Sequence, residues 1–542
     1  AFYYDLSSVS GNFNFSNWYD NNFLHNNNSK LKLNMEDGGR ILFLSNGNLT
    51  LSGMINTFSL TNKIEVSGNN YIYASLVNSS LDLDKDINLD DNEDSYKKLE
   101  ILSSSIKNSK TMKATYTFIA LSALLLSVSC NKFIDREPIS KPTEKTAFKE
   151  AKDLEGAVTG IYDELQSKDQ YSGRFLTLLE VRADNVTDDN AAALAGVNYE
   201  IEAFSETPAN ENFKASWLSL YQIILRANTI FENLDKVTMT DTQRTNIAGQ
   251  AAFLRALTYF NLVRLWGEVP LITQVQTVEQ ARNNQRASVA DIYALIISDL
   301  QRAKQLPTQW ADSERGRATR YAAQALLAKV YVYQKQYAQA LAELTPLVTA
   351  INSGRVIGLV PSNETFPNNL KTSKDVLFAV QYLKGGVGES VHQNNRYRNQ
   401  DGNNVINLPQ SLFDTGDNRK ALVAPTSMGN RPLKYNADRI GNETSSDFPI
   451  IRCAEVMLLY AEAANELSST PTQAALDALN AVRSNANIAT KTLADYPTKE
   501  AFRSQVYLQR RLELALECDR WFDIVRTGQF STLYPSVPAY RQ

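Results

Sequence analysis

From Thr146 onward, apolar residues return every three or four positions, a spacing that an α-helix gathers onto one face. Phe213, Trp217, Leu220, Tyr221, Ile224, Asn228, Phe231 and Leu234 form one such stripe, and Ala251, Leu254, Leu257, Asn261 and Leu265 form the next. Gly267 and Pro270 predict where the second helix stops. A third is expected to start at Ser288, where Asp291 three residues on approximates a capping box, and to run through Ile292, Ile296 and Leu300 to a stop at Pro307. Consecutive helices with one apolar stripe each must bury those stripes on one another, so the expected fold class is mainly α.

Two helix pairs have a sharper signature. In residues 319–349, Ala322, Ala325, Leu326, Val330 and Tyr331 precede the turn Gln334-Lys335-Gln336, after which Tyr337, Ala340, Leu341 and Leu344 continue the period. Residues 454–484 repeat the layout around a Ser-Ser-Thr-Pro turn, and Phe502 to Leu516 predicts a further helix. Small residues that let two helices approach, with aromatics at the turn, are similar to tetratricopeptide (TPR) units, which stack into a scaffold with a concave face. Between the pairs, Gly354 to Pro449 loses the helical period. Val376 to Tyr382 reads as its one strand and the remainder as long loops, which in compact folds are commonly functional.

The charge balance limits the partners. The first 111 residues hold 9 Lys+Arg and 13 Asp+Glu of the chain's 55 and 59, so the rest carries 46 of each. A neutral body lacks the basic field that nucleic-acid binding requires, and none is expected. With two histidines in the chain, His25 and His392, a Ser-His-Asp triad or a histidine-rich metal centre has little to be built from. Cys453 and Cys518 fall in helical patterns and read as buried thiols.

The N-terminal region has a different character. Residues 1–111 are rich in Asn and Ser, and short alternating runs at Arg40 to Leu44, Leu49 to Ser52, Lys63 to Val66 and Tyr71 to Ala74 predict a few antiparallel strands. Asp82, Asp84, Asp86, Asp90 and Glu93 have the spacing of an EF-hand loop, but Ile87 stands where that loop needs glycine, so a solvated acidic run is the better reading and no metal or cofactor is expected. Residues 112–129 then combine Met112-Lys113, an apolar core from Phe118 to Val128, and small residues ahead of Cys130. The apolar run is shorter than the roughly 20 residues that a membrane-spanning helix needs. It resembles a lipoprotein signal peptide, which implies an acylated Cys130 as the first mature residue and a segment 1–111 absent from the mature protein. The rival reading is a separate β-rich domain tethered by 112–129.

Five segments together resemble the SusD/RagB nutrient-binding lipoproteins of Bacteroidetes. They are Trp217-Leu218-Ser219-Leu220-Tyr221 leading to Arg226-Ala227-Asn228; Phe253-Leu254-Arg255-Ala256 leading to Leu265-Trp266-Gly267-Glu268-Val269-Pro270; Gly316-Arg317-Ala318-Thr319; Ile451-Arg452-Cys453-Ala454-Glu455 with Tyr460-Ala461-Glu462-Ala463; and Arg510-Arg511-Leu512-Glu513-Leu514 with Arg520-Trp521-Phe522-Asp523. The likeness runs from Cys130 to about Arg526. It implies one helical nutrient-binding domain over 130–542, with a truncated C-terminus as one reading of the stop at Gln542.

The resemblance also implies a lipid-anchored protein on the cell surface that captures oligosaccharide, or sometimes peptide, for a SusC-like TonB-dependent outer-membrane transporter. The side formed by Ser288 to Thr349 would be scaffold and docking surface for that transporter. Sugar recognition needs flat aromatics beside Asn, Asp and Arg. The loop that follows the strand offers Tyr382, Asn395, Arg396 and Tyr397, with Asp184 and Asn185 as a second candidate near Tyr199. Trp217, Trp266 and Trp521 fall in core patterns and are poor candidates. The competing readings are a TPR-type scaffold without a glycan ligand and a glycoside hydrolase. The second would need acid and base among Glu455, Glu462, Glu466, Glu513 and Glu517, yet residues four apart share one helix face, whereas glycosidase carboxyls flank the substrate. Structural ion pairs with Arg452, Arg511, Arg520 and Arg526 are expected for them instead, and no catalytic residue is assigned.

Overall fold

The computed structural model describes residues 148–187, 196–367, 369–383, 405–423, 432–435 and 445–537, together with six short strands nearer the N-terminus. Cys130, the 112–129 segment, Asn395, Arg396 and Tyr397 lie outside the described residues. The chain divides into two compact units, residues 1–134 and 135–542.

In the first unit, β1 (Tyr3–Asp5), β3 (Ile41–Ser45) and β6 (Ile72–Leu76) form one sheet, and β2 (Lys32–Asn34), β4 (Gly53–Met54) and β5 (Thr57–Ser59) another. Two of the four expected runs become β3 and β6; the other two lie outside the described residues. β3 pairs in parallel with both β1 and β6, where antiparallel neighbours were expected. Alternation fixes which face a side chain takes but leaves strand direction open.

The second unit is mainly helical. Its helices of seven residues or more are α1 (Ala151–Leu165), α2 (Arg174–Glu180), α3 (Glu211–Asn233), α4 (Asp241–Trp266), α5 (Val289–Ala303), α6 (Arg320–Tyr333), α7 (Tyr337–Ser353), α8 (Cys453–Leu467), α9 (Gln473–Asn485), α10 (Lys499–Glu513) and α11 (Arg520–Arg526). The three expected stripes are α3, α4 and α5. Gly267 ends α4 with φ +66, a conformation that glycine adopts without strain. Ser288 caps α5 by accepting the Asp291 N–H at 3.1 Å. The helix expected over Phe502 to Leu516 is α10, which starts three residues earlier because Thr498 caps it through the Ala501 N–H, and stops at Glu513.

Both helix pairs form. Within α6–α7 the turn places Lys335 at φ +57. α7 packs against α6 and α8, and α8 against α9 and α10, so hairpins far apart in sequence stack into one layer. A buried ion-pair chain ties that layer to α11. Lys329 of α6 meets Glu455 of α8 at 2.8 Å and Asp519 at 2.6 Å, while Arg510 of α10 meets Asp523 of α11 at 2.9 Å.

The long interhelical region has more structure than its sequence predicts. β10 (Val376–Val380) sits on the expected strand and pairs antiparallel with β12 (Phe448–Arg452), a strand the sequence reading did not predict. Phe378 packs edge-on against Phe253 of α4, with ring centroids 4.8 Å apart, which anchors this two-stranded sheet to the helical core. Farther out, β7 (Val186–Thr187) pairs with β11 (Val405–Ile406), and β8 (Val269–Pro270) with β9 (Arg286–Ala287).

Candidate functional site

The chain between α5 and α6 is a strap laid across β10. A 3-10 turn at Asp312–Glu314 forms its bend, and the Trp310 indole N–H donates to the Ala318 carbonyl at 2.8 Å, closing it into a loop. Gly316 lies at φ +100, a conformation that residues with a side chain rarely adopt, and a Cβ there would also force the Gln381 carboxamide to move, so glycine suits the point where the strap presses onto the end of β10.

A cleft opens on each side of this contact. One, of about 300 Å³, lies between the strap and the segment that carries Arg355, Lys371 and Lys374. The other, of about 490 Å³, lies between the strap and α1, with Tyr162, Asp163 and Gln166 on its far wall. Arg315, Gly316, Arg317 and Gln381 line both, so the two share a rim. Their volumes fall at the lower end of those typical of small-molecule sites.

The first cleft is rich in positive charge. Arg315, Arg317, Arg355, Lys371 and Lys374 line it against two carboxylates, Asp312 and Asp447. Arg315 pairs with Asp312 at 2.6 Å, and Arg317 approaches Glu314 at 3.5 Å. Lys371 pairs with the fully buried Asp447 at 2.6 Å and donates to the Tyr382 carbonyl at 2.7 Å. Burial pushes the Asp447 carboxyl above its ordinary range, while the Lys371 ammonium opposes that shift. Lys374 donates to the Gly354 carbonyl at 2.8 Å, and no carboxylate among the described residues pairs with it or with Arg355. These cleft residues escaped the sequence reading. Gly316-Arg317-Ala318-Thr319 was the available signal, taken there as one of the five family-like segments.

The sequence-predicted site residues have other surroundings. Tyr382 is 1% exposed, and its N–H donates to Asp447 at 3.0 Å. It therefore anchors the chain up to Leu383, the last described residue of this stretch, with its ring out of solvent. The Asp184 carboxylate receives both Arg520 Nε and Nη2, at 2.6 and 2.8 Å, with Arg511 at 3.1 Å. Burial disfavours its charge, but these guanidinium groups outweigh that and hold the carboxyl below its ordinary range. Asn185 is fully buried and accepts from Arg511 at 2.8 Å. Asp184 and Asn185 thus clamp α10 and α11 to the β7 strand. Because Thr187 pairs with Val405 and the Asn407 N–H donates to the Asn185 carbonyl at 2.8 Å, the structure brings this clamp beside the point where the chain re-enters after residue 404.

The aromatics set aside by the sequence reading are packing residues. Trp521 is buried, and Trp217 packs edge-on against Trp266 with centroids 5.1 Å apart. The carboxylates raised as acid and base candidates are all engaged. Glu462 pairs with Arg526 at 2.5 Å, Glu466 with Arg503 at 2.5 Å, and both Glu513 and Glu517 with Arg452, at 3.0 and 2.7 Å. Among the described residues no helix is long and apolar enough to cross a membrane.

Comparison with known proteins covers nearly all of the second unit. A family described as starch-binding and associating with the outer membrane matches residues 132–332, and the SusD family matches residues 331–536. SusD-like protein P2 of Formosa agariphila is 28% identical over 473 residues, which cover 76% of this chain and 90% of that one. A SusD-like protein of Bacteroides ovatus is 25% identical, covering 76% and 82%. Among solved structures, a SusD homolog from Bacteroides thetaiotaomicron superposes with a TM-score of 0.62 at 22% identity, covering 74% of this chain and 90% of that one. A laminarin-binding SusD-like protein superposes with a TM-score of 0.60 at 23% identity, covering 72% and 95%.

Proposed function

This chain belongs to the SusD/RagB family, and from that premise we propose that it is a lipid-anchored, surface-exposed binding protein that captures oligosaccharide and passes it to a SusC-like TonB-dependent transporter in the outer membrane. The observation that supports the reading is the pair of adjoining family matches, residues 132–332 and 331–536, on a body whose fold is that of SusD-like structures. That one such neighbour is named for binding laminarin favours a glycan over a peptide. Cys130 is the proposed acylation site, and the α5 to α7 side, residues 288–349, the proposed transporter-facing surface.

The ligand site proposed from the sequence is the segment that carries Asn395, Arg396 and Tyr397. Its two described ends are supported on buried structure, Tyr382 at one and the Asp184–Asn185 clamp at the other. A stiff base under a polar, aromatic segment suits recognition of a hydroxyl-rich ligand.

Calorimetry or affinity electrophoresis of the purified chain against a panel of polysaccharides tests the reading. At least one glycan is expected to bind, and Tyr397→Ala and Arg396→Ala are each expected to weaken it. If both variants bind as the parent does, the segment is not the site; if no glycan binds, the carbohydrate assignment falls. Recovery of a β-barrel partner from the native outer membrane in mild detergent separates a transporter component from a free-standing helical scaffold.

A further inference from the structure

We propose that the cleft between the strap and the Arg355–Lys374 wall is a second glycan subsite, selective for a sugar unit that carries an anionic group, either carboxylate or sulfate. This rests on the carbohydrate-binding reading above and adds to it a ligand class and a place distinct from the Asn395–Tyr397 segment; it takes the strap out of the proposed transporter-facing surface and leaves that surface to α5, α6 and α7.

Local charge is the first argument. The body as a whole is balanced, yet five cations line this one concavity against two carboxylates. Pairing leaves a definite remainder. Asp447 is taken by Lys371 and Asp312 by Arg315, and Arg317 approaches Glu314, which leaves Arg355 and Lys374 lining the cleft without a carboxylate partner among the described residues. Both stand on the same wall, since the Lys374 ammonium donates to the carbonyl of Gly354, the residue next to Arg355. An anion in the cleft would offset the positive charge that these two lining residues contribute and could accept charge-assisted hydrogen bonds from them.

The remaining wall is suited to a sugar ring. Trp310 is half-buried, pinned by its indole N–H to the Ala318 carbonyl, and lines the cleft beside the Gln309 and Gln381 carboxamides. A fixed aromatic accepts the C–H face of a pyranose, and planar amides bond its hydroxyls in both directions. The second cleft continues from the shared rim at Arg315, Gly316 and Gln381, so neighbouring units of a chain can extend over the strap. A concave shape with an aromatic wall argues for a polysaccharide over an anionic membrane surface, which is flat and recognised by protruding basic residues.

The test compares polygalacturonate and dextran sulfate with neutral laminarin and starch, on the purified chain, its Arg355→Ala/Lys374→Ala double variant and its Tyr397→Ala variant. At least one acidic polymer is expected to bind, with affinity that falls steeply between 50 and 500 mM salt, as screening requires, on the order of tenfold or more. The double variant is expected to lose that binding by a similar factor while keeping any neutral glycan, and the polymer that responds tells sulfate from carboxylate. Equal binding of acidic polymers by parent and double variant overturns the proposal, as does binding of neutral glycans alone; both leave carbohydrate capture standing. Silence of all four polymers overturns the subsite, and the carbohydrate reading falls with it only when the whole polysaccharide panel is silent as well. Binding to vesicles that contain anionic lipid, lost in the double variant while no polymer binds, reassigns the cleft to the membrane surface and overturns the subsite.

Discussion

Arg452, the last residue of β12, and Glu517, in the loop after α10, meet through two parallel hydrogen bonds, Nε to Oε2 at 2.9 Å and Nη2 to Oε1 at 2.7 Å, across 65 residues of sequence. The guanidinium is wholly shielded from water and also reaches Asp375 at 2.7 Å and Glu513 at 3.0 Å. One buried cation thus compensates carboxylates from the approach to β10, from α10 and from the loop beyond it. Lys434 and Arg419 share the anionic load, at 2.6 Å from Glu517 and 3.2 Å from Glu513.

Removing the hub exposes what it compensates. Arg452→Ala is expected to destabilise the fold by roughly 3 kcal/mol or more, since breaking a buried pair leaves uncompensated charge behind. Arg452→Ala combined with Glu517→Gln is expected to cost less than the sum of the two single changes. Urea denaturation of the four proteins in a double-mutant cycle measures this, and strict additivity would count against the hub.

Glu180 is a buried carboxyl whose Oε1 accepts the Cys518 N–H at 2.6 Å, and burial pushes its pKa up to about 7. An unfolded glutamate titrates near 4.3, so between about pH 4.3 and 7 the native state holds a proton that the unfolded state has released, and stability falls as pH rises through that window. Glu180→Gln keeps the acceptor and removes the titration. It is expected to be more stable than the parent at pH 8 by about 1 to 3 kcal/mol, with the difference vanishing near pH 4. Denaturation midpoints at the two pH values check the sign.

Glu513 titrates the other way. Burial disfavours its charge, but Arg452, Arg419 and Lys434 overcome that and bring its pKa down to about 2. Its contribution is fully present above pH 4.3 and lost as pH falls toward 2. Glu513→Gln is expected to flatten the acid limb of the stability profile below pH 4, read by circular dichroism.

Gly316→Ala is expected to cost about 1 to 3 kcal/mol, from a side chain at positive φ and a collision with Gln381. Gln381→Ala added to it should recover the collision part alone. If acidic-glycan binding falls in Gly316→Ala and returns in the double variant, strap position governs the cleft.

Arg255 of α4 grips Asp299 of α5 with Nε at 2.8 Å and Nη2 at 2.9 Å, while Nη1 donates to Asn228 of α3 at 2.7 Å. A lysine cannot span two helices with one planar fork. Arg255→Lys is therefore expected to cost about 2 kcal/mol despite unchanged charge, measurable as a lowered denaturation midpoint.

What the sequence determined by itself is whatever depends on neighbours a few residues away. The stripe from Phe213 to Leu234, the glycine stop at Gly267, the Ser288 cap and the two helical hairpins all became the expected elements, because helical period, caps and turns are local. That the candidate glutamates would be taken up in ion pairs was legible in part: Arg452 and Arg526 pair with them as expected, whereas Arg511 and Arg520, also expected to, hold Asp184 instead. What only the tertiary structure decided involves residues far apart in sequence. β12 acquires its strand character from β10, some seventy residues upstream; Tyr382 reads as a loop aromatic until Asp447 and Lys371 bury its root. Asp184 looks like a free acid until Arg520 and Arg511 arrive from the far end of the chain. The cleft is the extreme case. Its cations are scattered from Arg315 to Lys374, each unremarkable in its own stretch, and become a site only because a glycine lets the strap settle on β10 and set them around one space.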